Sequence, residues 1–208
     1  MSIVSHIDMI FSSFLEYIHY IFAHVPWTHW VVMGILSLAL VISLIIRKKC
    51  SGYGAVVLGI TAFVGLFLLD TAVLIRYFGL MNHGSGFGFK AEVDGFLHVG
   101  KARRVEMLSN MAVFIPFGFF LSEFLSTKRE FSARRRIRYV SLTAFGLSLS
   151  IECLQLVFNA GYFELTDLVM NTVGGLIGAG ATVLMRMVLG IEKKASPTAG
   201  RPLTDEDV

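Results

Sequence analysis

The sequence predicts an all-α integral membrane protein, with about five transmembrane helices after an amphipathic N-terminal helix. Of the 208 residues, 55% are apolar and only 16% are charged, and the mean hydropathy is +0.69. Soluble domains have about 45–50% apolar and about 25% charged residues. The charged residues also cluster between long apolar stretches, as they do in the loops between membrane spans. This composition excludes a disordered chain, and the presence of two cysteines excludes a disulfide framework.

The first 26 residues differ from the apolar stretches that follow them. Isoleucine and phenylalanine recur at helical spacing from Ile3 to Ile21, and polar residues such as Asp8 and Glu16 interrupt them. The segment contains no lysine or arginine, so it lacks the basic start of a signal peptide. We therefore interpret residues 1–26 as an amphipathic helix on the membrane surface. The alternative is an additional, weakly apolar span.

Five later stretches are long and apolar enough to cross a membrane. A transmembrane helix needs about 20 mostly apolar residues to cross about 30 Å of hydrocarbon. Long apolar runs without alternation are helices, because a helix satisfies its own backbone polar groups in lipid. The five predicted spans are Trp27–Ile46, Tyr53–Phe78, Leu108–Leu125, Ile137–Ala160 and Leu165–Leu189.

Lysine and arginine in the short loops predict the orientation of the chain. Twelve of them follow the first span, lie between the third and fourth spans, or follow the fifth, and these segments share one side of the membrane. The basic side is predicted to be cytoplasmic, which puts the N-terminus outside and the C-terminus in the cytoplasm. The other side has four basic residues, namely Lys90, Lys101, Arg103 and Arg104.

These elements divide the chain into four parts. After residues 1–26 come residues 27–107, with the first two spans and a glycine-rich outer loop from about Gly79. The last three spans occupy residues 108–190. Residues 191–208 contain two prolines and an acidic cluster, and we expect a disordered cytoplasmic tail. The outer loop has two alternative interpretations, a flexible lid or a re-entrant hairpin.

Polar side chains gather in the outer half of the last three spans. At a rise of about 1.5 Å per residue, Glu152 lies about 12 Å and Gln155 about 7 Å inside the outer surface. Asn171 lies about 9 Å inside it, while Asp167 and Asn110 lie near the surface. Glu152 and Gln155 are three residues apart and therefore share a helix face. Asp167 and Asn171, four apart, do the same.

Two interpretations of this polar group stay open. One is a hydrogen-bonded network that only holds the helices together, as amides often do in membranes. The other is a functional site, since ionisable groups inside a span are costly. Helix packing alone does not require two carboxylates at a similar depth in the membrane. Glu152 has no basic partner in its own span, so we expect it to be protonated or paired. Arg103 and Arg104 of the outer loop are candidate partners.

Proline and glycine are predicted to shape the helices around this group. Pro116 lies in the middle of the third span, where it removes a backbone donor and is expected to kink or open the helix. In the fifth span, glycines are predicted to form a small-residue surface for close helix packing. These glycines are Gly174, Gly175, Gly178 and Gly180.

Three further charged residues lie within the predicted spans. Asp70 and Arg76 share the second span, where they either pair loosely or Arg76 extends outward. Both a structural and a functional role of Asp70 stay open. Glu123 lies near the inner end of the third span and is interpreted as an interfacial residue.

The last three spans also carry motifs in a fixed order. The blocks read, in order, Asn110-xxx-Phe114-Ile115-Pro116-Phe117-Gly118, then Glu152-xx-Gln155, then Asp167-xxx-Asn171-xx-Gly174-xxx-Gly178. This order resembles the VanZ-like family of small bacterial inner-membrane proteins, which are linked to teicoplanin resistance. The resemblance covers about residues 110–180 and implies a helical protein of the bacterial plasma membrane.

One position departs from the family pattern. Members of the family usually have an arginine about six residues before the position of Asp167, and this chain has Gly161 there. If that arginine binds an anion at the outer surface, the resemblance implies one of two things. Either Arg103 or Arg104 substitutes for it, or the activity differs from that of the family or is lost.

The polar group leads to a hypothesis about function. An envelope-modifying enzyme or lipid-handling protein would act in the outer leaflet on a phospholipid, a polyprenyl-phosphate carrier or a lipid-linked cell-wall precursor. Glu152 and Asp167 are the predicted catalytic carboxylates, with Glu152 as general acid or base. The predicted substrate-binding residues are Asn110, Gln155, Asn171, Arg103 and Arg104.

Two alternatives to this hypothesis belong to other functional classes. The first is a non-enzymatic protein that binds a lipid or a partner. The second is a proton-coupled transporter with Glu152 as relay, which five spans without a repeat disfavour. We predict no cofactor and no metal site, since the chain has no phosphate-cradling loop and His83 and His98 alone are weak evidence for a metal. The expected partner is a membrane lipid or lipid-linked precursor and not a nucleic acid, because the basic residues follow membrane topology.

Overall fold

The computed structural model describes residues 11–16, 19–20, 22–23, 25–74, 88–90, 92–96, 98–128 and 130–192. Five helices among them are long and apolar enough to cross a membrane, which confirms the predicted all-α membrane fold. The second helix continues into a π-helical turn, Asp70–Leu74. The helices are α1 (Trp27–Ile46), α2 (Gly52–Leu69), α3 (Lys101–Ser126), α4 (Ala133–Val157) and α5 (Leu165–Val188).

The third helix begins well before its predicted start. It starts at Lys101 rather than at Leu108, so Arg103 and Arg104 lie on α3 and not in the loop. Hydropathy locates only the part of a helix that lies in hydrocarbon. The added turns are charged, and the pair Arg103 and Glu106, three residues apart on one face, supports them.

The fourth helix is shifted toward the N-terminus at both ends. It begins at Ala133, four residues before the predicted start, where Ser132 Oγ accepts a hydrogen bond from the backbone of Arg135. A serine in this position satisfies one of the free N–H groups of the first turn. The helix ends at Val157, because Asn159 has a φ of 51° that a right-handed helix cannot continue.

Glycines bring α3 and α5 into direct backbone contact. A Cβ atom on Gly174 would overlap the carbonyl oxygen of Met111, and one on Gly178 would overlap that of Ile115. Such close approach of two helices is possible only where no side chain intervenes. Two glycines of the predicted small-residue surface, Gly174 and Gly178, therefore form the interface with α3, while a Cβ on Gly175 would overlap Ala144 of α4. Gly180 is an exception, since a Cβ there would meet open space.

The proline of α3 does not interrupt the helix. Helix α3 runs from Lys101 to Ser126 through Pro116, so the expected opening at this residue does not occur. A Cβ on Gly118, two residues later, would overlap the backbone of Gly175 on α5. This tight packing supports the helix on both sides of the missing backbone donor.

A pair of short strands ties the loop before α3 to the turn before α5. Strand β1 (Phe89–Lys90) pairs in parallel with β2 (Phe163–Glu164). The rings of Phe89 and Phe163, which are opposite each other, lie 4.9 Å apart. Neither interpretation of the outer loop, a lid or a re-entrant hairpin, included this pairing. The pairing thereby fixes Phe89 and Lys90 of the loop against the turn before α5.

Part of the N-terminal segment is packed on the first two spans. Residues 11–16 are helical, and the ring of Phe22 stacks on Trp30 at 5.5 Å and on Phe67 at 5.4 Å. Several predictions concern positions outside the described residues. These positions are residues 1–10, Arg76, His83 and the tail from residue 193 to residue 208.

Candidate functional site

The helix bundle has two polar ends. The site end is where α3 and α5 begin and α2 and α4 finish, and it contains β1, β2 and residues 92–96. The basic end is where α1, α3 and α5 finish and α2 and α4 begin. All seven predicted site residues lie in the halves of α3, α4 and α5 that approach the site end.

Arg103 joins carboxylates from three segments at the site end. Its Nε donates to Asp94 Oδ2 at 2.6 Å, and its Nη1 donates to Glu106 Oε2 at 2.9 Å. Its Nη2 donates to an oxygen of Glu164, 61 residues further along the chain. Nη1 also lies 3.7 Å from Asp167 Oδ1. A guanidinium has donors in several directions, so a single side chain can organise this group of acids.

Glu164 receives a second cation from the other side. Lys90 Nζ donates to Glu164 Oε1 at 2.6 Å and lies 4.5 Å from the centre of the Tyr162 ring. The hydrogen bond to Glu164 raises the pKa of Lys90 above its ordinary value. The stabilising contribution of this pair is therefore fully present below the ordinary pKa of lysine, and it is lost as pH rises through the raised pKa.

Glu152 fastens the end of α4 to the start of α5. Its side chain is about 1% exposed, and its Oε2 accepts a hydrogen bond from the backbone N–H of Glu164 at 2.8 Å. Glu164 directly precedes α5, and the first N–H groups of a helix have no partner within the helix. A carboxylate at a helix N-terminus is also electrostatically favourable. The backbone amide of Glu164 is therefore one partner of the buried Glu152 carboxylate.

Asn171 places an unsatisfied acceptor inside the bundle. It is buried one helical turn beyond Asp167, and its Nδ2 donates to Ser148 Oγ on α4 at 2.9 Å. Its Oδ1 is also buried and has no hydrogen-bond partner in the part of the chain that the structure describes. A buried acceptor without a donor costs free energy. This oxygen is therefore an unsatisfied acceptor one helical turn from Asp167.

The π-helical turn after α2 also belongs to the site end. Gln155 Nε2 donates to the backbone oxygen of Ala72 within this turn, at 3.0 Å. Asp70, which begins the turn, has its Oδ1 2.7 Å from Nδ1 of His29 on α1. Asp70 therefore pairs with a residue 41 positions earlier in the chain. Gln155 and Asp70 hold α4 and α1 against the turn.

The two arginines of α3 have different surroundings. Arg104 Nε donates to the backbone oxygen of Val99 at 3.0 Å, and its guanidinium lies 6.0 Å from the centre of the Phe96 ring. Arg103 is the one that supplies the guanidinium beside Asp167. Asn110 is half-buried and lies seven residues after Arg103, which places both on the same face of α3.

Sequence reasoning missed several residues of this group. Asp94, Glu164 and Lys90 all lie between spans, where hydropathy gives no depth. Thr166 joins them, since its Oγ1 accepts from the backbone N–H of Asp94 at 3.0 Å. Glu164 directly precedes α5, but its side chain makes no capping hydrogen bond, so the usual pattern at a helix start does not reveal its ion pairs.

The basic end contains a separate ion-pair network. Glu123 is 5% exposed, and its Oε1 accepts from Arg186 Nη1 at 2.8 Å and from the hydroxyl of Tyr53 at 2.7 Å. Arg136, whose side chain is 2% exposed, donates to Glu192 at 2.7 Å. The interpretation of Glu123 as a merely interfacial residue is therefore wrong. Its partner on α5 is 63 residues away, which the local sequence does not reveal.

Comparison with known proteins assigns the family. A family model described as VanZ/LLP1 matches residues 78–186, more than half of the chain. The chain belongs to the VanZ/LLP1 family. A relative named Protein VanZ, from Enterococcus faecium, is 36% identical over 73 residues. That alignment covers 35% of this chain and 41% of the relative, so it spans less than half of the relative's length. None of the solved structures matches the chain.

Family membership, together with the five helices, identifies a multi-pass membrane protein and confirms the resemblance found in the motifs. The family match begins at residue 78 and therefore includes the loop that carries Lys90 and Asp94. Within it, Gly161 occupies the position where the resemblance leads us to expect an arginine. In this chain, the guanidinium beside Asp167 comes from Arg103 on α3.

Proposed function

We propose that this VanZ/LLP1-family protein acts at the outer surface of the bacterial plasma membrane on an envelope lipid or a lipid-linked cell-wall precursor. By this action it contributes to teicoplanin resistance or to envelope homeostasis. One observation carries the proposal. Arg103 gathers acids from three segments at one end of the bundle, and the buried Glu152 contacts one of them, Glu164. The basic loops at the opposite end favour a cytoplasmic location for that end, so the site end faces outward.

In this proposal, Glu152 and Asp167 are the catalytic carboxylates. The distance of 3.7 Å between Arg103 and Asp167 is too long for a direct hydrogen bond. In the proposal, Arg103 donates to an oxygen of a substrate phosphate or carbonyl group and stabilises its negative charge, while Asp167 accepts from a hydroxyl group of the substrate or from water. Glu152 then serves as general acid or base. Arg104 supplies further positive charge at the same helix start.

The amide residues have two roles in the proposal. Asn171, with its unsatisfied Oδ1, and Asn110 on the facing helix bind donor groups of the substrate. Gln155 acts through its hydrogen bond to Ala72, which positions α4. It is thus a positioning residue rather than a substrate ligand.

The alternative is a protein that binds its lipid or partner without chemistry. The hydrogen bond from the Glu164 backbone to Glu152 favours this reading, because it gives Glu152 a structural task. A glutamine in place of Glu152 could still accept that hydrogen bond through its amide oxygen. Glu152→Gln therefore distinguishes an enzyme, which would lose its activity, from a binding protein, which would keep its function.

The test uses teicoplanin susceptibility and membrane lipid composition of cells that express the full chain. Glu152→Gln and Asp167→Asn are compared with the wild type at equal membrane protein level. If the protein is an enzyme, both variants return susceptibility and lipid composition to those of cells without the protein. If it only binds, Glu152→Gln retains its effect and Asp167→Asn loses it.

Glu130→Gln provides the matched control. Glu130 is an exposed residue of the basic end, so removal of its charge should leave the effect unchanged. Normal function of both Glu152→Gln and Asp167→Asn would overturn the proposal that these carboxylates form the site. Wild-type protein without any effect on susceptibility or lipids would overturn the proposed function as a whole.

A further inference from the structure

A cavity of about 760 Å³ lies beside the Arg103 group. It is formed between the N-terminal helical segment and the first two turns of α3. Its volume lies within the range of small-molecule sites, which is roughly 300–1,000 Å³. The residues that matter for its chemistry are Glu16, Tyr20, Lys101, Ala102, Val105 and Glu106.

The walls of the cavity carry charges of both signs. Lys101 is the first residue of α3, and Glu106 lies five residues later on the same helix. Glu16 contributes a second carboxylate from the N-terminal segment. One ammonium group and two carboxylates around a single cavity suit a ligand that itself carries an anion and a cation.

The cavity is directly connected to the candidate site. Glu106 lines the cavity, and its Oε2 accepts a hydrogen bond from Arg103 Nη1 at 2.9 Å. That bond uses only one of the two carboxylate oxygens. A ligand held by Glu106 would therefore be one side chain away from the guanidinium that faces Asp167.

The position of the cavity along the bundle indicates its surroundings. Lys101 marks the end of a membrane-spanning helix, and Val105 lies one turn further inside. Ala102, Val105 and the ring of Tyr20 add apolar surface. On α3 the apolar pair lies between Lys101 and Glu106, so charged and apolar surface adjoin each other in the first two turns of the span. Because these turns begin a membrane-spanning helix, the cavity lies where lipid headgroups meet hydrocarbon.

We infer that this cavity binds a zwitterionic phospholipid with a primary ammonium group, such as phosphatidylethanolamine. The inference rests on the proposed function, because it takes the ligand of the site end to be an envelope lipid. The ammonium group donates hydrogen bonds to Glu16 and Glu106, and Lys101 pairs with the phosphate. A choline headgroup has no N–H to donate, and a glycerol headgroup brings no positive charge to the two carboxylates.

The test measures lipid binding and needs no catalytic activity. The full chain is placed in phosphatidylcholine nanodiscs in which about one lipid in five is either phosphatidylethanolamine or phosphatidylglycerol. After extraction, the lipids retained by the protein are quantified by mass spectrometry. We expect enrichment of phosphatidylethanolamine over phosphatidylcholine by about tenfold, which corresponds to about 1.4 kcal/mol. Each methyl group added to the amine should lower the enrichment.

Two variants locate the binding. Glu16→Gln combined with Glu106→Gln removes both carboxylates, and Lys101→Gln removes the ammonium group; each should abolish most of the enrichment. Lys101→Arg keeps the charge and should retain it, which separates loss of binding from misfolding. Lys128→Gln at the basic end is the matched control and should bind as the wild type does.

Several outcomes would overturn the inference. Equal retention of the three lipids would show that the cavity does not select an amine, and enrichment of phosphatidylglycerol would show a site for anionic lipid instead. Competition by soluble glycerophosphoethanolamine as strong as that of the lipid would show that the headgroup alone binds. Failure of the lipid-binding test, combined with loss of the effect on susceptibility in Glu152→Gln and Asp167→Asn, would overturn this inference and leave the proposed function standing.

Discussion

Arg103 joins residues that lie far apart in the sequence. Its partners Asp94 and Glu106 are nine and three residues away, whereas Glu164 is 61 residues away. The Arg103 side chain is 19% exposed, so its ion pairs are only partly screened by solvent. Loss of the guanidinium would leave several carboxylates close together without their shared cation, which is much more costly than loss of a surface ion pair.

We therefore predict that Arg103→Gln lowers the free energy of unfolding by about 2–3 kcal/mol. Thermal unfolding of the purified protein in detergent measures the change. Arg104→Gln is the control, since it removes the same charge one residue away, and it should cost less than about 1 kcal/mol. Equal effects of the two substitutions would contradict the central role of Arg103.

At the level of residues, the sequence located the polar side chains within the spans but not those in the loops between them. Counting along the spans placed Glu152, Asp167 and Asn171 near the same end, because helix rise converts sequence position into depth. The contacts of Glu164 and Lys90 depend on the pairing of two short strands that are 74 residues apart. Such long-range pairing leaves no local pattern in a single sequence.

At the level of secondary structure elements, glycines allow the backbones of helices α3 and α5 to touch directly. The backbone oxygens of Met111 and Ile115 occupy the space that a side chain at Gly174 or Gly178 would need. A backbone atom cannot move aside as a flexible side chain can. Substitution at these glycines must therefore push the two helices apart, and Asp167 of α5 would move away from Arg103.

We predict that Gly174→Ala and Gly178→Ala each lower the free energy of unfolding by about 2–3 kcal/mol. Gly180→Ala is the internal control on the same helix. A Cβ there meets open space, and alanine favours the helix by about 1 kcal/mol. Unfolding curves of the three variants give the comparison, and a destabilising Gly180→Ala with neutral Gly174→Ala would refute the argument.

The sequence predicted the number and order of these helices but not all of their ends. Apolar length indicates a span because hydrocarbon thickness is fixed. It does not indicate where a helix continues into the polar region, as α3 does from Lys101. For Pro116 a local rule predicted a kink or an opening, and α3 continues through this residue without an interruption.

For the molecule as a whole, the distribution of basic residues predicts the orientation. Single cysteines are introduced at Gly100 and Glu130, in a background where Cys50 and Cys153 are replaced by alanine. Gly100 has open space around it and φ of −68°, so cysteine fits there without strain. With a membrane-impermeant maleimide on intact cells, Gly100→Cys should be labelled and Glu130→Cys should not.

Permeabilised cells provide the control for this measurement. Both cysteines should then be labelled, which shows that each is accessible. Labelling of Glu130→Cys alone in intact cells would reverse the orientation and would place the site end in the cytoplasm. The envelope substrate proposed for the site would then be wrong, while the fold would be unaffected.

The pairing of β1 with β2 has a consequence for the synthesis of the protein. Lys90 and Arg103 leave the ribosome long before Glu164 and Asp167, with two whole membrane spans made in between. During that interval, the two cations lack their acidic partners from the start of α5. The site end is therefore completed only when the last span has inserted. A chain that stops before residue 163 leaves Lys90 without Glu164, and Arg103 with Asp94 and Glu106 alone.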